Sequence, residues 1–157
     1  MSMTRKRRTV EELHRVSEHL QYEISMLQSM ANGIASGVAG QGPIANALIE
    51  SFVIHVRNML DFLYAEDPRP DDVIAEDFFD TREQWTKDRP ALSQLLSGVK
   101  WRAGKEVAHL TYARLDVTPI GKPWRFVEIA NEIAAVISMF SDKVPRHKIS
   151  GKTSTAI

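Results

Sequence analysis

Two stretches of this chain hold ionisable residues at spacings that could do chemistry. In KWRAGKEVAHLTYAR, Arg102 and His109 are seven residues apart, which on one continuous helix returns them to nearly the same face about 10 Å apart. Lys105 and Glu106 fall between them on that face. A histidine exchanges protons near neutral pH, and an arginine or lysine stabilises charge developing on a phosphate. Together they could cleave RNA without a metal. The plainer alternative is a solvated helix face with an Arg102–Glu106 ion pair worth several tenths of a kcal/mol, as i,i+4 pairs are.

The second stretch, ESFVIHVRNMLDFLY, places Glu50, His55, Arg57, Asn58 and Asp61 within three turns of an otherwise apolar helix. Arg57 and Asp61, four apart, can pair. If that helix is central, its polar groups must be paired or hydrated, because an unpaired buried charge is costly. They build either part of a site or an interhelical network that fixes register. A metal shared by His55 and His109 with Glu50, Asp61 or Glu106 is a third reading, although neither a metal nor a cofactor is expected.

These groups need helices to position them. The chain has 157 residues, is 43% hydrophobic, balances 20 basic against 20 acidic side chains and contains no cysteine, which fits one globular domain. Without cysteine, zinc ribbons, thiol nucleophiles and disulfide frameworks are excluded. A net charge of zero argues against coating nucleic acid by bulk electrostatics and leaves room for a local basic patch. Arg5 to Arg8 lead into a charged segment rather than an apolar run, so no export signal is visible and a cytoplasmic protein is expected. The most apolar stretch, 126–140, is interrupted by Glu128, Asn131 and Glu132 and is too short to span a bilayer.

Thr9 and Glu12 form a capping box, and Leu13, Leu20, Leu27 and Ile34 repeat every seven residues behind it. Gly33, Gly37, Gly40 and Gly42 end that helix, and Pro43 opens the next, which runs to about Glu66. Pro68 and Pro70 break it into an acidic loop with a short turn around 73–79. A third helical region starts near Pro90 and continues or restarts through Trp101 to Arg114, and a fourth spans Trp124 to Phe140. The predicted fold is therefore all-α: a four-helix bundle over 9–143 with short extra helical turns, preceded by a flexible basic arm (1–8) and followed by a disordered basic tail (144–157). The basic arm could contact phosphates, and Trp101, next to Arg102, is a better candidate than the core-like Trp124 for stacking on an RNA base.

A helical bundle carrying Arg, six intervening residues and His resembles the HEPN superfamily, and His55-Val-Arg-Asn-Met-Leu-Asp-Phe-Leu63 resembles the core helix of its small abortive-infection-type members. The resemblance covers roughly 48–114. It implies an RNA-binding protein or metal-independent endoribonuclease in a defence or toxin–antitoxin setting, a homodimer in which Arg and His of two subunits meet, and an antitoxin as a further partner. By that resemblance Arg102 holds the scissile phosphate and His109 assists proton transfer as the RNA 2′-hydroxyl attacks. Lys105 and Glu106 tune the pair, with His55, Arg57, Asn58 and Asp61 behind it. Ala103 stands where many active members carry Asn, Asp or His. The alternative is a non-catalytic helical dimerisation or interaction module.

Overall fold

The computed structural model describes residues 5–118 and 123–150. Five α-helices are present among them: α1 (Val10–Ala35), α2 (Pro43–Leu63), α3 (Arg82–Asp88), α4 (Gln94–Arg102) and α5 (Phe126–Lys143). No strand occurs among the described residues, so the chain is all-α. None of these helices is long and apolar enough to cross a membrane.

The capping box forms as the residue types dictate: the Glu12 amide donates to Thr9 Oγ1 at 3.1 Å and the Thr9 amide to Glu12 Oε2 at 2.8 Å. The Thr9 amide foremost, and the Thr9 hydroxyl with it, hold the Glu12 carboxyl below its ordinary pKa. Leu13, Ser17, Leu20, Ile24, Leu27 and Ala31 then bury one stripe of α1, and the Ser17 hydroxyl donates to the Leu13 carbonyl at 2.7 Å. The α1–α2 turn uses left-handed backbone at Gly37, Gly40 and Gly42 (φ 68°, 60° and 98°), which only glycine adopts without cost. Pro43 follows as the first residue of α2. From Phe52 onward α2 is buried on more than one side, through Val53, His55, Val56, Met59, Leu60, Phe62 and Leu63.

An aromatic cluster joins the lower halves of α2, α3 and α5. The Phe140 ring meets those of Phe62, Phe78, Phe79 and Trp85 edge-on, with centroids 5.3 to 5.8 Å away. The carbonyl of Leu63, at the end of α2 where intrahelical donors run out, accepts from Trp85 Nε1 at 2.9 Å and Arg89 Nη1 at 3.0 Å. Phe78 belongs to a single 3-10 turn (Ala75–Phe78) inside the acidic loop, where a short turn was expected.

The number and course of the helices differ in part from the sequence reading. A fifth helix, α3, lies where the acidic loop was to run on; Thr81 and Gln84 cap it reciprocally and Trp85 anchors it. After α4 the chain restarts rather than continuing as one helix to Arg114. The helix widens into a π turn over Ala103–Ala108 and stops, after which Tyr112–Asp116 forms a separate 3-10 turn.

The two ends are also better anchored than their composition implies. In the arm, Arg5 is only 5% exposed in its side chain and donates to the carbonyls of Arg69 and Asp72 and to Asp77 Oδ2, the last at 2.8 Å, while Arg8 donates to the Pro70 carbonyl. In the tail, residues 144–150 pack down: Val144 and Ile149 are buried, and Lys148 Nζ reaches Asp80 Oδ1 at 2.6 Å. The remainder of the expected tail, 151–157, lies outside the described residues.

Candidate functional site

About half of the segment from Lys100 to Asp116 is exposed, and it carries the Arg102 and His109 candidates. α4 begins at Ser93, whose hydroxyl accepts from the Leu96 amide at 3.1 Å, and its Leu96 and Val99 pack into the core. At its end Arg102 is held on three sides. Its Nε and Nη2 donate to the two oxygens of Glu106 at 2.7 and 2.9 Å, Nη1 reaches the Pro123 carbonyl at 3.4 Å, and the guanidinium lies 4.0 Å over the Trp124 ring. This is the i,i+4 pair expected from spacing, strengthened by bidentate geometry and a cation–π contact.

His109 does not continue that face. The π turn ends at Ala108, and His109 has extended backbone at φ −130°, ψ 145°, so the seven-residue return that assumes unbroken α geometry does not apply. Its side chain is exposed, and its carbonyl accepts from Arg114 Nη2 at 3.1 Å. Glu106 and His109 carry the Glu-x-x-His spacing used by metal-binding bundles, but Glu106 turns both oxygens to Arg102. Among the described residues, no three His, Asp or Glu side chains gather as metal ligands.

Around the pair the surface is basic and aromatic. Lys105 and Arg114 are exposed, Arg114 donates to the carbonyls of Val107 and His109, and among the described residues neither cation is within ion-pair distance of a carboxylate. Trp101 is 58% exposed and Tyr112 89%. Trp124, by contrast, is half-buried beneath Arg102. The stacking candidate named from sequence is therefore outside the core, joined by Tyr112, which sequence reasoning passed over.

The α2 groups assemble elsewhere and around a partner that their own helix does not contain. Glu23 of α1 accepts from Asn58 Nδ2 at 3.0 Å and sits 2.7 Å from His55 Nδ1, while Tyr22 presents its ring edge-on to the buried imidazole. Glu23 was not singled out from sequence, since it stands on the polar-looking side of α1. Asp61 lies 3.6 Å from Arg57 and 3.5 Å from Lys100. Glu50 is exposed on the upper part of α2. A cleft of about 560 Å³ opens beside this network, lined by Glu23, Arg57, Asn58, Asp61 and Lys100 among others. Its charges are of both signs and largely satisfy each other, which suits holding α1, α2 and α4 in register.

No family model, curated protein or solved structure matches this chain.

Proposed function

We propose that this chain is an HEPN-like four-helix bundle protein that binds RNA through the segment 101–114, with Arg102 and His109 as the candidate pair for metal-independent cleavage. The observation that supports this reading is the run of exposed basic side chains and aromatics there: Lys105 and Arg114, with the imidazole of His109, beside Trp101 and Tyr112. Phosphates are attracted by uncancelled charge, and bases stack on exposed rings without sequence preference. The acidic loop would repel RNA from its own side of the bundle.

A test measures binding and cleavage of a mixed-sequence single-stranded RNA in excess chelator. The expected result is salt-dependent binding, weakened severalfold by Trp101→Ala or Tyr112→Ala, with cleavage lost in Arg102→Ala and His109→Ala at matched folding. Cleavage that persists in both variants would overturn the catalytic assignment, and absence of binding would overturn the RNA reading.

A second reading, a non-catalytic interaction module, has its own support. Leu110 and Leu115 are 91% and 81% exposed on the same segment, more apolar surface than an RNA groove requires. On that reading Leu110→Asp abolishes capture of a protein partner and leaves RNA binding unchanged.

A further inference from the structure

The end of the α1–α2 hairpin has an unusual surface. From Ile24 to Ile49 the chain runs 26 residues without a charged side chain, although a quarter of all its residues are charged, so that a run of this length would ordinarily hold about six. Such a stretch is normally core. Here only its first third is: Ile24, Leu27 and Ala31 are buried, and none of the residues 32–51 is. Ile34 and Ile49 pack partly against the core, while Val38 and Ile44 stand 78% and 70% exposed. Exposed backbone with neither charge nor burial is otherwise a solubility liability.

The chemistry of the surface restricts its occupant. Nucleic acid requires cations, and there are none. A lipid surface would call for basic residues and tryptophan or tyrosine at the rim, and the same 26 residues contain no aromatic side chain. A strongly charged protein partner would find nothing to pair with. A second copy fits each condition, since the same neutral surface meets itself across a two-fold axis and no like charges are brought together apart from Glu50 at the margin.

Shape and extent agree. Ala35, Ala45 and Ala47 let helices approach closely, and thirteen of the residues 32–51 are exposed, a surface at the small end of the about 20–30 residues a side that a stable interface uses. We infer that the charge-free α1–α2 hairpin end is a self-association surface, through which two copies of this chain pack hairpin against hairpin. The inference is independent of the RNA reading, and it uses a different surface from the Arg–His contact implied by the family resemblance.

The experiment is sedimentation equilibrium of the full chain across a concentration series, for wild type, Ile44→Glu and Leu110→Glu. Both substituted side chains are exposed, and circular dichroism with thermal melting confirms that each variant folds. Wild type and Leu110→Glu should be dimers, and Ile44→Glu should raise the dimer dissociation constant about 100-fold, because the two-fold axis buries the new charge twice. Ala47→Glu should act in the same way. A monomeric wild type overturns the inference. So does a dimer that survives Ile44→Glu and Ala47→Glu, or one dissolved by Leu110→Glu alone, which would move the interface to the 101–115 segment. Flotation of wild type with neutral lipid vesicles, lost in Ile44→Glu, would assign the surface to a membrane instead.

Discussion

The contact between Glu106 and Arg102 makes opposite demands on stability and on RNA binding, and Glu106→Gln separates them. In the wild-type protein the guanidinium faces both carboxylate oxygens at 2.7 and 2.9 Å and rests on Trp124, so its charge is largely cancelled before a phosphate arrives. Glutamine keeps one acceptor and removes the charge. Hydrogen bonds to charged groups contribute about 1.5–3 kcal/mol, so losing one of two should cost about 1.5–3 kcal/mol, a drop of about 3–12 °C in melting temperature for a chain of this size. RNA binding should move the other way. A released arginine adds one phosphate contact, which steepens the dependence of log affinity on log salt by about 0.7 for a single strand. Fluorescence anisotropy of a labelled RNA over a salt series reads that slope. Asp116→Asn removes an exposed carboxylate from the same segment and should leave the slope unchanged, while Arg102→Ala added to Glu106→Gln should cancel the gain. Equal effects of Glu106→Gln and Asp116→Asn, or tighter binding at an unchanged slope, would refute the idea that Glu106 locks the arginine.

Other expectations follow from the buried polar groups. Glu23→Ala leaves the buried His55 without its 2.7 Å partner and should cost about 1–3 kcal/mol in chemical denaturation, part of which His55→Leu recovers; a double variant that is stable but no longer binds RNA would make the network a site rather than a brace. Burial, more than any other influence, raises the Glu76 carboxyl above its ordinary pKa, with Arg89 at 3.6 Å opposing it. The folded state therefore binds the extra proton between the unfolded and folded values, and stability falls as pH rises through that window. Glu76→Gln should raise the melting temperature at pH 7 and flatten its pH dependence, and a loss at pH 7 would show that Arg89 outweighs burial. Asp80 is shifted the other way by the hydrogen bond from Lys148, so its contribution is present above the unfolded value and lost as pH falls through the lowered one. Asp80→Asn should lower the melting temperature at neutral pH by an amount that vanishes in acid, with faster amide exchange over 144–150.

What the sequence made legible was the part of the fold that depends on neighbours along the chain. The cap at Thr9, the stripe of α1, the glycine turn and Pro43 each act over a few residues, and pattern reaches that far. α3 escaped because it holds one apolar anchor, Trp85, in seven residues, too few to show a period. The docking of 144–150 escaped because it depends on Asp80 and on the Nε2 of His14, 2.7 Å from the His147 carbonyl, both far away in sequence. The same holds for His55, whose partner Glu23 is 32 positions earlier on another helix. Spacing predicted the Arg57–Asp61 and Arg102–Glu106 pairs because each stays within one helical turn.

The division between Arg102 and His109 has a local cause that bears on function. Between them lies Ala-Gly-Lys-Glu-Val-Ala, and the backbone widens over those six residues before leaving the helix. Gly104 has no atom within 4 Å of where a Cβ would stand, so its contribution is conformational rather than spatial: a glycine here weakens α geometry by about 1 kcal/mol relative to alanine. On the inner side Ala103 is buried and Val107 packs against the core, while Lys105, Ala108 and His109 are exposed. A π turn satisfies that mixture by keeping the apolar residues inward at the expense of regular bonding, and such turns concentrate where a chain binds or changes shape. Arg102, by contrast, is clamped to Glu106 and Trp124. One member of the pair is fixed to the bundle and the other stands beyond the π turn on extended backbone, so a ligand that engages both must span residues 103–109 rather than a single helix face.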